Sequence, residues 1–173
     1  ALFWYNTAVW PISLESCSCR MVLNQDGSIQ LQTGETEIGQ GCDTAFAQMA
    51  ADAVGIPVSD VHVVTAQDTD VTPFGTGAYA SRQTYVGGFA IAQTGALLKE
   101  RILKYACELT RQMPALLDIV DGRIIRRTDG RVLMTLGELA TEALYSLSHR
   151  SRTTPIPSAA RSRRSRSTSP CAR

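Results

Sequence analysis

The sequence predicts an α+β fold in which helices pack on a mixed, partly antiparallel sheet. Three Asp-Gly steps lie between β-rich segments and indicate hairpins, and apolar side chains recur with helical period in other segments. The predicted order of elements is ββαβαβββα, which is typical of the α+β class. A chain of 173 residues with 44% hydrophobic content can bury one core, so we expect one folded domain.

The first part of the chain contains a predicted hairpin, a helix and a strand. Strands over residues 19–23 and 28–32 flank the first Asp-Gly step. Apolar positions with helical spacing predict a helix over 43–54, and Gly55 just after it is a typical helix end. A valine-rich segment, 60–65, predicts a further strand.

The next element is a predicted long helix that begins at Ser81 as its N-cap and reaches about Thr110. Gly87, Gly88 and Gly95 lie inside it, and each costs about 1 kcal/mol of helix stability relative to alanine. We therefore expect a neighbouring backbone to pack closely against these three positions.

The last predicted elements are three strands and a helix. Strands over 116–120 and 123–127 flank the second Asp-Gly step, a third strand covers 132–134, and apolar spacing predicts a helix over 136–145.

The charge is divided between two unlike parts of the chain. Residues 1–148 carry a formal charge of −6 and residues 149–173 carry +7, so the near-neutral total describes neither part. The second part consists mainly of Ser, Arg and Pro and cannot repay its ordering entropy by burial. We expect 1–148 to form the folded domain and 149–173 to be a disordered tail, appended or out of frame. The other interpretation is a basic arm for nucleic acid or lipid, since the arginines at 161–166 would attract phosphates.

The ends and the cysteines indicate the setting of the chain. It begins without Met, a charged leader or an apolar run that could span a bilayer, so we expect a piece of a longer protein. Five cysteines without a signal peptide favour reduced thiols in the cytoplasm. Cys17-Ser18-Cys19 has no second pair at ligand spacing, so no side-chain metal site is expected.

Two glycine-bearing loops, 33–41 and 72–82, each run into a predicted helix. Free amides and the positive dipole end of a helix start bind anions, and glycine lets a ligand approach the backbone. The loops therefore predict a ligand with phosphate or oxyanion character, and turns and caps alone are the simpler interpretation. The G-x-G-x-x-A letters at 75–80 do not follow a strand directly, and the lysine of a P-loop is absent, which excludes both ordinary nucleotide motifs.

Residues 34–41 and 77–82, with their helices and uninterrupted spacing, resemble the molybdopterin-binding region of the xanthine dehydrogenase and aldehyde oxidase family of molybdenum hydroxylases. The similarity is closest to the molybdenum-binding subunits of its bacterial, multi-subunit members and covers most of 1–148. It implies a molybdenum-molybdopterin cofactor in which the pterin's dithiolene sulfurs, and no side chains, hold the metal. The positions that match the cofactor-binding segments are Gly39, Gln40, Gly41, Tyr79, Ala80, Ser81, Arg82 and Gln83.

The resemblance also implies a reaction and partners. Members of the family hydroxylate a carbon next to a ring nitrogen, with oxygen derived from water, and pass electrons to iron–sulfur clusters and FAD on partner subunits or domains. Their general-base glutamate lies outside this chain, so no catalytic residue is expected here and the chain alone should be inactive. For Glu35 and Glu37 we expect a surface or structural role.

Two functions follow from the sequence. The first is a fragment of a cytoplasmic xanthine dehydrogenase that supplies the cofactor-binding loops of a purine hydroxylase, with iron–sulfur and FAD subunits as partners and no membrane or nucleic acid. The alternative is a non-catalytic module that binds a phosphorylated ligand and contacts nucleic acid through its basic tail.

Overall fold

A computed structural model describes residues 15–149 and, before them, Ala1, Leu2, Trp4 and Thr7; of residues 147–149 it describes the backbone. Its strands are β1 (Cys19–Leu23), β2 (Ile29–Thr33), β3 (Val61–Val63), β4 (Leu117–Val120), β5 (Arg123–Arg126) and β6 (Val132–Thr135). Its α-helices are α1 (Cys42–Val54), α2 (Gly88–Thr110) and α3 (Leu136–His149). A π-helical turn, Gln83–Gly87, leads directly into α2.

The six strands form two three-stranded sheets. In the first sheet β1 pairs antiparallel with β2, and β2 pairs parallel with β3. In the second sheet β4, β5 and β6 are all antiparallel, with one irregularity between Ile124 and Ile125. The predicted α+β class with mixed and antiparallel strands is confirmed, and the strands are divided between two sheets.

One hydrophobic core joins the two sheets to the helices. Met21 and Leu31 of the first sheet, Phe46 of α1, and Ile119 and Ile124 of the second sheet all belong to it. Burying such apolar surface is the main favourable term in folding. The core places the first sheet, α1 and the start of α2 against one another, which positions the two glycine-bearing loops.

Helix α2 contacts both sheets. At its beginning the Cys19 thiol of β1 donates to the Thr94 hydroxyl over 3.0 Å. Further along, the Lys99 ammonium lies 2.7 Å from the Asp118 carboxylate of β4. The helix therefore contributes to coupling the two halves of the fold.

The three glycines of the predicted long helix lie against tightly packed neighbours. A Cβ at Gly95 would lie 2.5 Å from the Ala53 Cβ, and one at Gly88 would lie 2.7 Å from the Met49 sulfur. The expected close packing is present; the nearest atoms are side chains of α1 and of Glu35, and one backbone atom, the carbonyl carbon of Ala53, lies 3.7 Å from the Cβ position of Gly95.

Most predicted elements are confirmed with small changes of boundary. Helix α1 ends at Gly55, which has a φ of 96° and donates its amide to the Ala51 carbonyl. The strand predicted over 60–65 shortens to β3 because Val58–Asp60 forms a 3-10 turn before it.

The prediction of Ser81 as an N-cap is wrong. An N-cap residue has extended backbone, but Ser81 has a φ of 51° and lies in the left-handed region. The chain enters the helix through the π-helical turn after Arg82, and no side chain caps that turn.

Within the described ranges no helix combines the length and the apolar character needed to cross a bilayer. The predicted tail at 149–173 lies outside the described residues except for the backbone of His149.

Candidate functional site

The two glycine-bearing loops meet at their beginnings. Gly34 and Gly75 approach so closely that a Cβ on either would collide with the backbone of the other. Ser18 bridges the same loops, since its amide donates to the Phe74 carbonyl over 2.9 Å and its carbonyl accepts from the Gly34 amide over 3.2 Å. The glycines here permit a close backbone contact that other residues would prevent.

The loops meet again through two predicted site residues. The Gln40 side-chain amide donates to the Gln83 side-chain oxygen, and both glutamines donate to the Thr36 carbonyl over 3.0 Å. The Gln40 side-chain oxygen accepts from the Ile38 amide over 2.6 Å. Both side-chain donors of Gln40 therefore bond within the protein, and its oxygen, which accepts one bond among the described residues, can accept a second from a ligand.

Glu37 occupies the beginning of α1. Its carboxylate accepts from the amides of Gly39, Gly41 and Asp43 over 2.7, 2.9 and 3.2 Å. These bonds, led by those from Gly41 and Asp43, lower the pKa of Glu37 to about 2. The helix start that the sequence predicted as an anion site is thus filled by an internal anion in this structure, and Glu37 has a structural role.

The second loop keeps its amides available. Those of Ala78, Tyr79, Ala80 and Ser81 have no acceptor among the residues that the structure describes. Ala80 and Ser81 have φ values of 47° and 51°, an unfavourable conformation for residues with a Cβ. Successive amides in such a turn can point toward one anionic group, as in a backbone nest.

Arg82 is the most buried of the predicted site residues. Its guanidinium contacts the Glu15 carboxylate and lies 2.7 Å from that of Glu35, with both the Arg82 and Glu35 side chains fully buried. It also donates to the carbonyls of Gly77 and Ser16, each over 2.8 Å. The guanidinium therefore faces inward, and Arg82 as a whole residue is buried beneath the loop.

The open surface is shaped by three glycines. Gly39, Gly41 and Gly77 have φ values of 99°, 81° and 107°, and a Cβ on any of them would meet no atom within 4 Å. A ligand can reach the backbone there without displacing a side chain. Free amides in one loop and bare backbone in both fit an organic anion such as a pterin with its phosphate.

Burial and, to a smaller extent, the nearby Glu37 carboxylate together raise the pKa of the Cys42 thiol to about 12. Asp43 completes a group of three possible ligand atoms within 4.8 Å of one another. The Glu37 oxygens are already bound to amides, and a neutral thiol is a poor metal ligand. This group therefore gives no indication of a metal site.

Glu15, Glu35 and Glu37 are the site residues whose contacts the sequence did not predict. Glu37 stands four residues before the N-cap of α1, outside any usual capping pattern. Glu15 and Glu35 reach Arg82 only after the strands pair, so no local signal could have identified the contact.

The fold and the loops together define a class of protein: an α+β domain that presents backbone amides and bare glycines to an anionic organic cofactor. The domain family described as molybdopterin cofactor-binding domain matches residues 1–169. The chain belongs to this family.

Curated relatives support the same assignment. The chain is 47% identical over 146 residues to the xanthine dehydrogenase molybdenum-binding subunit of Escherichia coli O157:H7, which covers 84% of this chain and 19% of that protein. It is 32% identical over 128 residues to the carbon monoxide dehydrogenase large chain of Hydrogenophaga pseudoflava, covering 74% and 16%. The chain thus spans less than a fifth of the length of these relatives.

A solved structure has the same fold. Quinoline 2-oxidoreductase from Pseudomonas putida 86 superposes with a TM-score of 0.67 at 26% identity, covering 82% of this chain and 17% of that one. The predicted molybdopterin-binding domain is therefore confirmed at the level of the fold.

Proposed function

We propose that this chain supplies the cofactor-binding loops of a molybdopterin-dependent purine hydroxylase of the xanthine dehydrogenase type. The observation that carries the proposal is the set of amides at Ala78–Ser81 that find no acceptor within the described part of the chain, in a protein that is 47% identical to a xanthine dehydrogenase molybdenum-binding subunit. When bound, the cofactor supplies the redox chemistry for hydroxylating a carbon next to a ring nitrogen.

The roles of the chain's own residues follow from the geometry. The backbone of the second loop binds the anionic part of the cofactor, and the bare glycines of both loops let the pterin approach. Gln40 and Gln83 hold the two loops together at the cofactor. The residues proposed to contact it are Gly39, Gln40, Gly41, Tyr79, Ala80, Ser81 and Gln83, and the fully buried Arg82 is proposed to support the loop without touching the cofactor. The glutamate that acts as general base is proposed to lie in another part of the parent protein.

The partners and location are further parts of the proposal. Iron–sulfur and FAD subunits would take the electrons, and the assembly would lie in the cytoplasm. We also propose that 1–148 is the partial cofactor domain and that 149–173 is foreign to it, although the family match continues to residue 169. The alternative, a phosphate-binding module with a nucleic-acid-binding tail, finds no support in the family match.

Cofactor content tests this proposal directly. The full chain, purified from cells that make molybdopterin, is expected to carry about one pterin and one molybdenum per chain, since both glycine-bearing loops are present. Molybdenum is measured by elemental analysis and pterin by fluorescence after oxidative release. A folded chain that carries neither would contradict the proposal.

Two glycine variants provide a matched comparison. Gly77 in the loop and Gly130 outside it both have a positive φ, 107° and 67°, and a Cβ on either would meet open space. Gly77→Val and Gly130→Val should both strain the backbone. Only Gly77→Val is expected to lose the cofactor. Equal loss in both variants would indicate a general effect of instability.

A chimera tests the parent activity. The chain's residues replace the matching 146-residue segment of the Escherichia coli relative. We expect the chimera to reduce an electron acceptor when xanthine is supplied. A chimera that binds the cofactor but accepts no purine would restrict the proposal to cofactor binding.

A further inference from the structure

We propose that Arg82, held by Glu15 and Glu35, is a positioning residue that fixes the cofactor loop without contacting the cofactor. This inference rests on the proposed function, because it assigns the loop at 77–82 to cofactor binding. Its subject is the buried ion-paired cluster of Glu15, Glu35 and Arg82, which we call the arginine cluster.

The arginine cluster closes the loop from inside. The guanidinium of Arg82 donates to the carbonyl of Gly77 over 2.8 Å, and the amide of Arg82 donates to the carbonyl of Tyr79 over 3.2 Å. Arg82, the last residue of the loop at 77–82, therefore binds both Gly77 at its beginning and Tyr79 near its middle. The guanidinium also lies 5.4 Å from the centre of the Tyr79 ring, at cation–π distance.

The closed loop holds a conformation that it would not keep alone. Ala80 and Ser81 both lie in the left-handed region, which residues with a Cβ adopt in succession only under constraint from their surroundings. The contacts of Arg82 on either side of them provide that constraint. Because the four unpaired amides lie within this closed loop, the arginine cluster sets their directions.

The cluster also ties the loop to two other segments. Glu15 precedes β1, and Glu35 follows β2 in the first glycine-bearing loop. A planar guanidinium can bind groups on several sides in fixed geometry, which an ammonium cannot do. The two carboxylates therefore fix the position of the second loop relative to the first loop and to the segment before β1.

Stability alone is a weak explanation for this arrangement. Fully buried ion pairs often stabilise a fold no better than apolar groups of the same volume. Here one oxygen of the buried Glu35 carboxylate has no hydrogen-bond partner among the described residues. An ion-paired cluster that leaves a buried acceptor unsatisfied is better explained by the orientation that it imposes on the loop than by a gain in stability.

The first test compares cofactor retention with stability. Arg82→Lys keeps the charge and loses the planar fork, and Glu35→Gln keeps the shape and loses the charge. Ile119→Val and Ile119→Ala are controls, because Ile119 is buried in the second sheet and its loss lowers the melting temperature without touching the loop. The full chain carrying molybdopterin is diluted, and the rate of pterin loss is measured well below every melting temperature.

We expect Arg82→Lys and Glu35→Gln to lose pterin about ten- to a hundredfold faster, as when groups that orient binding residues are removed. The Ile119 variants should keep the wild-type rate even where their melting temperatures fall as far. Equal rates in Arg82 and Ile119 variants of equal melting temperature would overturn the inference. If Arg82→Lys does not fold, Glu35→Gln alone decides.

A second test needs no cofactor. Chymotrypsin cleaves after Tyr79 only if the loop can extend into the protease, and mass spectrometry identifies the cut. In the cofactor-free chain we expect this cut to be about tenfold faster in Arg82→Lys than in wild type, because local opening controls cleavage. An unchanged rate would overturn the inference. A wild-type chain that resists cleavage after Tyr79 but holds no pterin would refute the proposed function and leave the loop-fixing role intact.

Discussion

Glu37 provides an anion to the start of α1 from within the chain. Its pKa lies near 2, below the ordinary value of about 4.5, because the charged form is bound by three amides. A depressed carboxyl pKa stabilises the fold above the unfolded pKa, and that stabilisation is lost as the pH falls through the folded pKa. The relevant window therefore runs from about pH 4.5 to about pH 2.

We predict that Glu37→Gln lowers the melting temperature at pH 7 and that the difference from wild type shrinks toward zero near pH 2. Thermal unfolding at pH 7, 4 and 2 measures it. Glu142→Gln, which removes an exposed carboxylate from α3, is the control and should follow wild type at each pH. A constant difference across the pH range would show that Glu37 acts through packing.

Single residues also mark the limit of sequence analysis at this site. The sequence could show that the glycines of both loops leave the backbone accessible, because a residue without a Cβ allows close approach and tolerates positive φ. The inward direction of Arg82 could not be predicted, since it depends on carboxylates that strand pairing brings from positions 15 and 35. The cofactor contacts of the eight predicted residues stay a prediction.

At the scale of elements, the contact between α1 and α2 depends on small residues. Alanine at position 95 would raise helix propensity by about 1 kcal/mol. Its Cβ, however, would lie 2.5 Å from that of Ala53, and overpacking of this kind costs about 1–3 kcal/mol. We therefore expect the cost of overpacking to exceed the gain in helix propensity.

We predict that Gly95→Ala is destabilised by up to about 2 kcal/mol, the overpacking cost less the helix gain. Urea denaturation measures the change. Ala53→Gly removes the opposing methyl group, so the double variant should be more stable than the sum of the two single changes predicts. Additive effects would show that the helices separate freely at this point.

The sequence predicted those elements whose signals come from residues that are close together in the chain. The Asp-Gly hairpins and the apolar face of α1 depend on neighbours in sequence, and both are confirmed. The π-helical turn before α2 was missed because Ser81 has the composition of a cap and the backbone of a left-handed turn. The division into two sheets depends on long-range pairing, which periodicity does not report.

At the scale of the whole molecule, Asp118 links α2 to the second sheet. It binds Lys99 over 2.7 Å and Arg127 over 3.1 Å. Partial burial raises its pKa, but the bond from Lys99 and the other favourable contacts outweigh this, so the pKa is lowered overall. The groups are partly exposed, so solvent screening limits what the link contributes.

We predict that Asp118→Asn lowers stability by no more than about 1 kcal/mol at low salt. The loss should become smaller in about 1 M salt, because the Debye length falls to about 3 Å and salt then weakens the attraction between partly exposed charges. Urea denaturation at both salt concentrations measures it. A loss that does not depend on salt would point to the hydrogen bonds of Asp118 and not to its charge.

The boundary of the domain gives a second prediction at this scale. A chain that ends at residue 149 should melt at the same temperature as the full chain, within about 2 °C. It should also hold as much pterin. An affinity for RNA that disappears with residues 150–173 would instead favour the basic-arm interpretation.

The carboxylate at the start of α1 has a consequence for crystals grown from concentrated sulfate. Oxyanions gather where backbone donors are unshared, and Glu37 already shares those of Gly39, Gly41 and Asp43. Electron density for a sulfate would therefore accumulate first over Ala78–Ser81, with none at the equally glycine-rich turn into α1. The position of the bound sulfate would thus show, without any pterin, which of the two glycine-bearing loops binds an anion.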